Sequence, residues 1–225
     1  MITIMIKIGK QNLYPTKIIC LGLNYKDHIE ETHRKIPEEP LLFNKTLNSL
    51  IGHKDPIIYP KILYNNKKYN RVDYEAELAV IIRKEGKYIS EDNAFDYILG
   101  YSVFNDITAR KMQIKDISSK KPWFKSKSFD TFGVIGPKIV KLDDPHNLNL
   151  ELKLNGERKQ FSNTKYLIFK VPYLINYISQ FFTLKPDDII ATGTPSGIGP
   201  ISPGDIIEAS IENIGTLRNE VILEE

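Results

Sequence analysis

V-D-Y-E-A-E-L-A-V, residues 72–80, is the stretch that decides the fold of this chain. Its residues alternate, and a period of two predicts a β-strand because successive side chains of a strand point to opposite faces. Asp73, Glu75 and Glu77 therefore share one face. At about 3.3 Å per residue, the Cα atoms of Glu75 and Glu77 are expected roughly 6.6 Å apart. The pattern thus predicts two carboxylates that project side by side.

Beyond Glu77 the same face becomes apolar, at Ala79 and Ile81. The carboxylates then stand at one end of a strand that is otherwise buried on both sides. Burying carboxylates without a partner is costly. A hard divalent cation with oxygen ligands fits this pattern, and so does an edge strand with a solvated acidic face. These residues alone leave both interpretations open.

The composition of the chain bounds its class. A length of 225 residues fits one large domain over residues 17–225, preceded by a short strand segment over residues 1–16. There is no run of about 18 apolar residues and no signal peptide, and the single Cys20 excludes an internal disulfide. We therefore expect a cytoplasmic protein without a membrane partner. The net charge of +3 comes from scattered lysines, so no nucleic-acid partner is expected.

Strand patterns outnumber helical patterns along the chain. Further strands are predicted at residues 2–8, 17–23, 41–44, 100–104, 132–140, 148–154, 159–164, 188–191, 206–211 and 217–223. Helical spacing over residues 171–182 predicts one helix that buries Leu174, Ile175, Ile178 and Phe182. Residues 45–52 are expected to form a mobile flap. Together these patterns predict a mainly β domain with a few short helices (α+β) and closed or wrapped sheets.

A short helix is predicted after Asn24, which is a candidate N-cap. His28 and Glu31 are three residues apart and share one face of this helix. A histidine held by a carboxylate is a typical general base, because the carboxylate fixes the tautomer of the imidazole. An ordinary surface pair on a short helix explains the same spacing.

A second candidate group follows the strand at residues 100–104. Asp106 is expected at a strand-to-helix junction, where the helix dipole would stabilise its charge. Arg110 and Gln113 then lie on the same helical face as Asp106. The three side chains either converge on a site or form a capping aspartate with an ion pair to the following turn.

The segment T-G-T-P-S-G-I-G-P-I-S-P-G-D, residues 192–205, contains four glycines and three prolines. A backbone this rich in glycine can bring N–H groups close to a bound anion. No Gly-Lys-Ser/Thr follows, so it is not a phosphate-binding P-loop.

Six ordered motifs resemble the fumarylacetoacetate hydrolase family from about residue 17 to the end. They are G-L-N-Y-K-D-H-I-E-E (22–31), V-D-Y-E-A-E-L-A-V (72–80), G-Y-S-V-F-N-D-I-T-A-R-K-M-Q (100–113), K-S-F-D-T-F (127–132), L-N-G-E-R-K-Q (154–160) and T-G-T-P-S-G-I-G-P (192–200). The likeness is greatest to the short members, which are acylpyruvase-like, oxaloacetate-decarboxylase-like or hydroxyheptadienedioate-isomerase-like. The resemblance implies the family's catalytic fold, a mixed β-sandwich roll or wrapped, barrel-like structure.

The resemblance also implies a site, residue by residue. A divalent metal, usually Mg²⁺ and in some members Mn²⁺ or Ca²⁺, would be held by Glu75, Glu77 and Asp106. The catalytic residues implied are His28 and Glu31, which activate water, and Lys127; the substrate contacts implied are Arg110, Gln113 and Thr194. Leu23 departs from the pattern, since some acylpyruvases have at this place an Arg that helps hold the keto-acid carboxylate.

The function implied is that of a metal-dependent enzyme acting on small 2-keto or diketo acids through a metal-bound enolate. Hydrolysis of a C–C bond in an acylpyruvate-type substrate is the first candidate, and a role in the catabolism of aromatic compounds and a homodimer are implied with it. A 2-hydroxyhepta-2,4-diene-1,7-dioate isomerase or an oxaloacetate-type decarboxylase on the same site is the alternative. A non-catalytic metal- or anion-binding protein on this scaffold is an alternative of another class.

Overall fold

The structure is a computed structural model, which describes residues 4–32 and 35–225. The strands are β1 Ile6–Ile8, β2 Gln11–Leu13, β3 Ile18–Gly22, β4 Leu41–Lys45, β5 Leu50–Ile51, β6 Ile57–Tyr59, β7 Val72–Tyr74, β8 Ala76–Ile82, β9 Ile98–Asp106, β10 Thr108–Ala109, β11 Gly133–Val140, β12 Asn149–Leu154, β13 Glu157–Asn163, β14 Ile189–Ala191, β15 Gly199–Ile201, β16 Ile206–Ile211 and β17 Gly215–Leu223. The α-helices are α1 Lys26–Thr32, α2 Lys61–Tyr64, α3 Arg110–Ser118, α4 Phe124–Lys127 and α5 Val171–Phe181, and 3₁₀ turns occupy Leu47–Ser49, Glu91–Tyr97 and Thr164–Tyr166. The prediction of a mainly β domain is confirmed.

Two large sheets form the body of the fold. The seven-stranded sheet has the order β4-β3-β14-β8-β9-β11-β5, and the five-stranded sheet has the order β13-β12-β16-β17-β6. A three-stranded sheet, β10-β7-β15, and the β1-β2 hairpin complete the fold. The pairing is mixed, since β14 runs parallel to β3 and antiparallel to β8. No helix within the described residues combines the length and apolar character that a membrane crossing requires.

Strand β8 lies near the middle of the seven-stranded sheet and is buried on both faces. Leu78 and Val80 point into a large core that the five-stranded sheet and α5 share. Ala79 and Ile81 point into a second core, which the β1-β2 hairpin covers. Burying a valine, leucine or isoleucine side chain stabilises the folded state by about 1.5–3 kcal/mol relative to leaving it exposed. The alternation read from the sequence is therefore the alternation between these two cores.

The acidic strand is interrupted at Glu75. Residues before it, in β7, pair with β10 and β15, whereas residues after it, in β8, pair with β9 and β14. The chain thus passes from one sheet to another at Glu75, whose backbone N–H donates to the side chain of Asn105 at 2.9 Å. The sequence shows a continuous strand because the alternation of side chains continues across the junction.

Local turn chemistry explains two other elements. The hairpin between β12 and β13 turns at Asn155 and Gly156, which have φ angles of 53° and 81°. Two positive φ angles are what a tight hairpin requires, and Asn-Gly adopts them most readily. Helix α5 begins with Pro172 in its first turn, where a proline loses no intrahelical hydrogen bond.

Several predicted boundaries were wrong. Helix α1 is not capped by Asn24, because the Asn24 side chain instead bonds Phe169 and Thr192 of neighbouring loops. Phe182 lies beyond the end of α5 and is 46% exposed, so it is not part of the core. The strand predicted from residue 2 starts at Ile6, and residues 2 and 3 lie outside the described part of the chain.

The predicted flap at residues 45–52 is instead part of the sheet. Lys45 ends β4 and is buried, and the chain continues through a 3₁₀ turn into β5. Strand β5 pairs in parallel with β11. Within this segment Lys45 makes buried contacts, which lie in the candidate site.

Candidate metal centre and active site

Three carboxylates converge at the junction between β7 and β8. One oxygen of each of Glu75, Glu77 and Asp106 lies within 4.8 Å of the others, and all three residues are buried. The register explains this convergence, because β8 and β9 are antiparallel neighbours and Asp106 donates its backbone N–H to the carbonyl of Glu75 at 2.8 Å. Residues opposite each other on paired strands bring their side chains together. The structure thus unites the three residues that the sequence assigned to the metal.

Two lysines hold one side of this carboxylate cluster. Lys127 donates to Glu75 Oε2 at 2.8 Å and to Asp106 Oδ2 at 2.6 Å. Lys45 donates to the other oxygen of Asp106 at 2.6 Å and to the carbonyl of Ile107 at 3.1 Å. Both ammonium groups are buried, so each ion pair is well shielded from water. Each oxygen of the Asp106 carboxylate therefore accepts a hydrogen bond from one of the two lysines.

Arg110 holds the other end of the cluster. Its guanidinium donates to Asp73 Oδ2 at 2.8 Å, to Gln113 Oε1 at 2.5 Å and to Glu75 Oε1. Asp73 thus shares the face of Glu75, as the alternation predicted, and binds the same guanidinium of Arg110. Of the two interpretations left open for Asp106, Arg110 and Gln113, the capping aspartate with an ion pair to Arg110 is wrong, because β10 intervenes and α3 begins only at Arg110. Lysines, and not a helix dipole, stabilise the charge of Asp106.

The electrostatics of the two glutamates differ. Burial alone raises the pKa of Glu75, but Lys127 and Arg110 outweigh it and hold this pKa well below its usual value. Burial, together with Asp106 and Glu75, raises the pKa of Glu77 well above its usual value. The hydrogen bond that Glu77 receives comes from the backbone N–H of Gly193, at 2.8 Å. Glu77 is therefore the carboxylate of the cluster that lacks a bonded cationic partner among the described residues.

The donor set fits a hard divalent cation. All three candidate ligands are carboxylate oxygens, which Mg²⁺, Mn²⁺ and Ca²⁺ prefer over nitrogen or sulfur. A cation beside Glu77 would offset the repulsion that raises its pKa. Three protein ligands would leave coordination positions open for water or a small molecule.

A cavity of about 220 Å³ opens above the two glutamates. Its polar lining contains Glu75, Glu77, Arg110, Gln113, Lys127, Thr194 and His28. Its apolar lining contains Leu21, Leu23, Phe43, Ile114, Ile117, Trp123 and Ile198. The structure thus brings the predicted substrate contacts and catalytic residues to one space, with the exception of Glu31, which stands behind His28.

Helix α1 presents the predicted base to this cavity. His28 Nδ1 lies 3.4 Å from Glu31 Oε2. The Glu31 carboxylate also accepts the backbone N–H of Gly197, with distances of 3.2 and 3.3 Å to its two oxygens. Ser162 donates to Asp27 at 2.6 Å and ties the start of the helix to β13. The helix is thus fastened to the glycine-rich loop and to the hairpin.

Sequence reasoning missed three residues that hold the site. Lys45 closes the apolar strand L-L-F-N-K, and a lone lysine at that place was a signal for a buried partner. Asn105 holds the chain at the sheet junction through Glu75 N–H. Gln160 is buried on β13 and contacts both the loop and β8.

Fold and site together define a class of protein: a mainly β scaffold with a buried triad of carboxylates beside a small polar cavity. The family model described as "Fumarylacetoacetate (FAA) hydrolase C-terminal" matches residues 17–222, and the chain belongs to this family. The resemblance read from the six motifs is thereby confirmed.

Named relatives in this family are enzymes with different reactions. A mitochondrial oxaloacetate tautomerase from Xenopus laevis is 41% identical over 218 residues, which cover 92% of this chain and 66% of that protein. The structure of a 2-hydroxyhepta-2,4-diene-1,7-dioate isomerase from Mycobacterium marinum matches with a TM-score of 0.83 and 37% identity, covering 94% of this chain and 76% of that one. A fumarylpyruvate hydrolase from Pseudomonas aeruginosa, solved with Mn²⁺ and pyruvate, matches with a TM-score of 0.89 and 28% identity. The match covers 99% of this chain and 97% of that one.

Proposed function

We propose that this chain is a divalent-metal-dependent enzyme that hydrolyses a C–C bond in a small acylpyruvate-type 2-oxo acid. The observation that carries the proposal is the buried triad of Glu75, Glu77 and Asp106 beside a cavity that His28 and Lys127 also line. Candidate metal ligands, a candidate base and a cationic group thus lie around one small space. The chemistry of 2-oxo acids needs these three functions together.

Glu75, Glu77 and Asp106 would hold the metal, and Lys127 would stand beside it. A bound Mg²⁺ or Mn²⁺ supplies Lewis acidity toward the oxygens of the 2-oxo acid. The Lys127 ammonium places a second positive charge where negative charge develops on the 2-oxygen. Because it is buried and fixed by two carboxylates, it needs little reorganisation during the reaction.

His28 is the residue that would activate water. Its Nδ1 faces Glu31, and its Nε2 would take a proton from a water molecule. The resulting hydroxide attacks the distal carbonyl carbon, and the C–C bond then breaks with its electron pair remaining on the pyruvate-derived enolate. His28 returns the proton as this enolate becomes the keto acid. Glu31 stabilises the imidazolium that exists between these two steps.

The apolar half of the cavity supports an uncharged acyl group at the far end of the substrate. Leu21, Phe43 and Trp123 belong to this half, and Leu23 stands where some acylpyruvases have an arginine. Among the described lining residues, the lysine and arginine side chains are Lys127 and Arg110, and both already bind carboxylates. A substrate with a second carboxylate at its far end therefore finds less support here.

A second candidate is the keto–enol tautomerisation of oxaloacetate. It is favoured by the relative from Xenopus laevis that carries this name. Tautomerisation moves a proton between carbon and oxygen and needs no attacking water, so Lys127 and the triad would serve it as well. Isomerisation of a dienedioate and decarboxylation of oxaloacetate would use the same enolate, and they belong in the same test.

The test is a panel of substrates with each metal. Acylpyruvates, oxaloacetate and hydroxymuconate-type dienedioates are incubated with the chelator-treated protein and with added Mg²⁺ or Mn²⁺, and loss of enol absorbance is followed. We expect acylpyruvate turnover that requires added metal. Turnover that is unaffected by complete chelation would refute the metal dependence. Metal binding without turnover of any of these acids would favour a non-catalytic binding protein.

A further inference from the structure

Gln160 connects the carboxylate cluster to the glycine-rich loop. It lies on β13 and is 1% exposed. Its Oε1 accepts the backbone N–H of Ala76 at 3.0 Å, and Ala76 stands between the two glutamates of the cluster. Its Nε2 donates to Thr194 Oγ1 at 2.9 Å, and to the carbonyls of Pro195 and Ser196 at 3.1 and 3.3 Å. One side chain therefore bonds both the strand that carries Glu77 and the loop that carries Thr194.

The orientation of the Gln160 amide is fixed by its partners. The N–H of Ala76 can only donate, so the oxygen of the amide must face it. The carbonyls of Pro195 and Ser196 can only accept, so the NH₂ group must face them. A reversed amide would oppose donor to donor on one side and acceptor to acceptor on the other.

This fixed amide determines how Thr194 presents its hydroxyl. Because Nε2 only donates, Thr194 Oγ1 must accept in this hydrogen bond, and its own hydrogen remains available. Thr194 lines the cavity together with Glu77 and Lys127, and no other hydrogen-bond partner of its hydroxyl occurs within the described residues. The free O–H is therefore a donor at the wall of the cavity.

We propose that Gln160 is a positioning residue, which polarises the Thr194 hydroxyl so that it donates to a carboxylate oxygen of the bound 2-oxo acid. This inference rests on the proposed function. Removing Gln160 would leave the Pro195 and Ser196 carbonyls without their donor, and the Thr194 hydrogen would turn toward them and away from the substrate. Gln160 would thus act on substrate affinity through Thr194 and would not touch the substrate.

The packing around Gln160 supports a positioning role. Gly197 has a φ of 88°, and a Cβ added there would meet the carbonyl oxygen of Lys159, directly beside Gln160. The loop is therefore seated on the backbone of β13. Two residues further along β13, Ser162 holds α1 through Asp27. The same strand thus fixes the loop with Thr194 and the helix with the candidate base.

A double-mutant cycle tests the inference. Gln160→Met keeps the side-chain length and removes the amide, and Thr194→Val keeps the shape and removes the hydroxyl. Binding of pyruvate to the Mn²⁺-loaded protein is measured by calorimetry for both single variants, for the double variant and for the control Gln180→Met, which changes an exposed glutamine of α5. Mn²⁺ affinity and the melting temperature are measured for every variant.

We expect each single variant to bind pyruvate about tenfold more weakly, which is the order expected for one charge-assisted hydrogen bond. We expect the double variant to be no weaker than Thr194→Val, because the two residues act through one hydrogen bond. Should Gln160→Met fail to fold, Gln160→Glu replaces it. The carboxylate of this glutamate still accepts the backbone N–H of Ala76, but it also accepts the hydrogen of the Thr194 hydroxyl. That hydrogen then points away from the cavity, so the same loss of pyruvate affinity is expected.

The possible outcomes distinguish a failure of this inference from a failure of the proposed function. The role of Gln160 would be overturned if the affinity losses of the two single variants multiply in the double variant, or if Gln160→Met binds pyruvate with full affinity. Either result would leave the proposed function standing. A wild-type chain that binds Mn²⁺ but neither binds nor turns over any 2-oxo acid would overturn the proposed function and this inference with it.

Discussion

Replacing Glu77 with glutamine should stabilise the metal-free protein and abolish its stabilisation by metal. The Glu77 carboxylate is buried, lies within 4.8 Å of the oxygens of Glu75 and Asp106, and receives a hydrogen bond from Gly193. A glutamine at this place keeps the acceptor for Gly193 and adds an NH₂ group that can donate to the neighbouring carboxylates. Glu77→Gln thus replaces repulsion with a hydrogen bond.

The magnitude follows from the separation of the charges. Two unit charges no more than 4.8 Å apart repel each other by at least about 3 kcal/mol at an effective dielectric constant of about 20. After allowance for an imperfect fit of the amide, we expect a gain of about 1–3 kcal/mol in the free energy of unfolding. For a chain of this length that corresponds to an increase in melting temperature of roughly 2–12 °C.

The pH dependence has a definite sign. The pKa of Glu77 is raised in the folded state, so between its ordinary value and the raised value the folded protein holds a proton that the unfolded chain has lost. Stability of the metal-free protein therefore falls as the pH rises through this interval, and is highest below it. The pKa of Glu75 is lowered, so its own stabilising contribution is lost only at more acidic pH. Above about pH 5 Glu77 contributes a falling slope, which Glu77→Gln should remove, whereas the lowered pKa values of His53 and His146 contribute a rising slope that the variant keeps.

The assay is thermal unfolding in chelator and in excess Mn²⁺, from about pH 5 to 8. Wild-type protein should gain about 2.7 kcal/mol when Mn²⁺ is present at 100 times its dissociation constant. Glu77→Gln should gain almost nothing, and the exposed control Glu220→Gln should behave as wild type. A lower melting temperature of metal-free Glu77→Gln, or an undiminished response to Mn²⁺, would refute the reasoning.

Three further predictions concern single residues. His28→Gln should reduce acylpyruvate hydrolysis by roughly 10²–10⁴-fold while sparing oxaloacetate tautomerisation, and equal loss of both activities would contradict its role toward water. Lys45→Met should cost about 1–3 kcal/mol of stability in urea unfolding, because it removes one of the two lysines that hold the buried Asp106 carboxylate and leaves Lys127 as its cationic partner, and a neutral effect would contradict that. Gly197→Ala should raise KM and lower the melting temperature, because its Cβ would meet the Lys159 carbonyl. Gly204→Ala is the matched control, since its φ is also positive, at 94°, but its Cβ meets nothing within 4 Å.

The fold was largely predictable because its signals are local. Alternation over residues 72–80, the Asn155-Gly156 turn and the helical spacing from Val171 each report on a few neighbouring residues. The change of sheet at Glu75 leaves no such signal, because the alternation is the same on both sides of it. The exposure of Phe182 likewise depends on where α5 ends, and not on the apolar character of the residue.

The candidate site was predictable where the motifs specify it and not where long-range contacts complete it. The triad of Glu75, Glu77 and Asp106 lies in two motifs, and the register of β8 against β9 joins them. Lys45 lies about 60 residues from Asp106 in the sequence, in the segment that was predicted to form a flap. A buried ion pair between distant segments has no periodic signature, so only the tertiary structure shows it.

The buried charges give a way to separate the two candidate functions. Among the described residues the cluster contains four carboxylates, with Asp73 included, and three cationic side chains, Lys45, Lys127 and Arg110. Arg71 also contacts Asp73, but its side chain is 42% exposed and its charge is screened by water. With all four carboxylates ionised, as in a site that holds a metal, the charges of these seven groups sum to −1, and a bound divalent cation would change the sum to +1.

A site with this charge is matched by a substrate with one negative charge. An acylpyruvate brings one carboxylate and would neutralise the site, whereas oxaloacetate brings two and would leave an excess negative charge in a buried place, which is unfavourable. We therefore expect a lower KM for acylpyruvates than for oxaloacetate at equal metal saturation, with a difference that shrinks as salt is added. A lower KM for oxaloacetate would mean that a cationic group outside this cluster reaches the substrate, and would favour tautomerisation as the function.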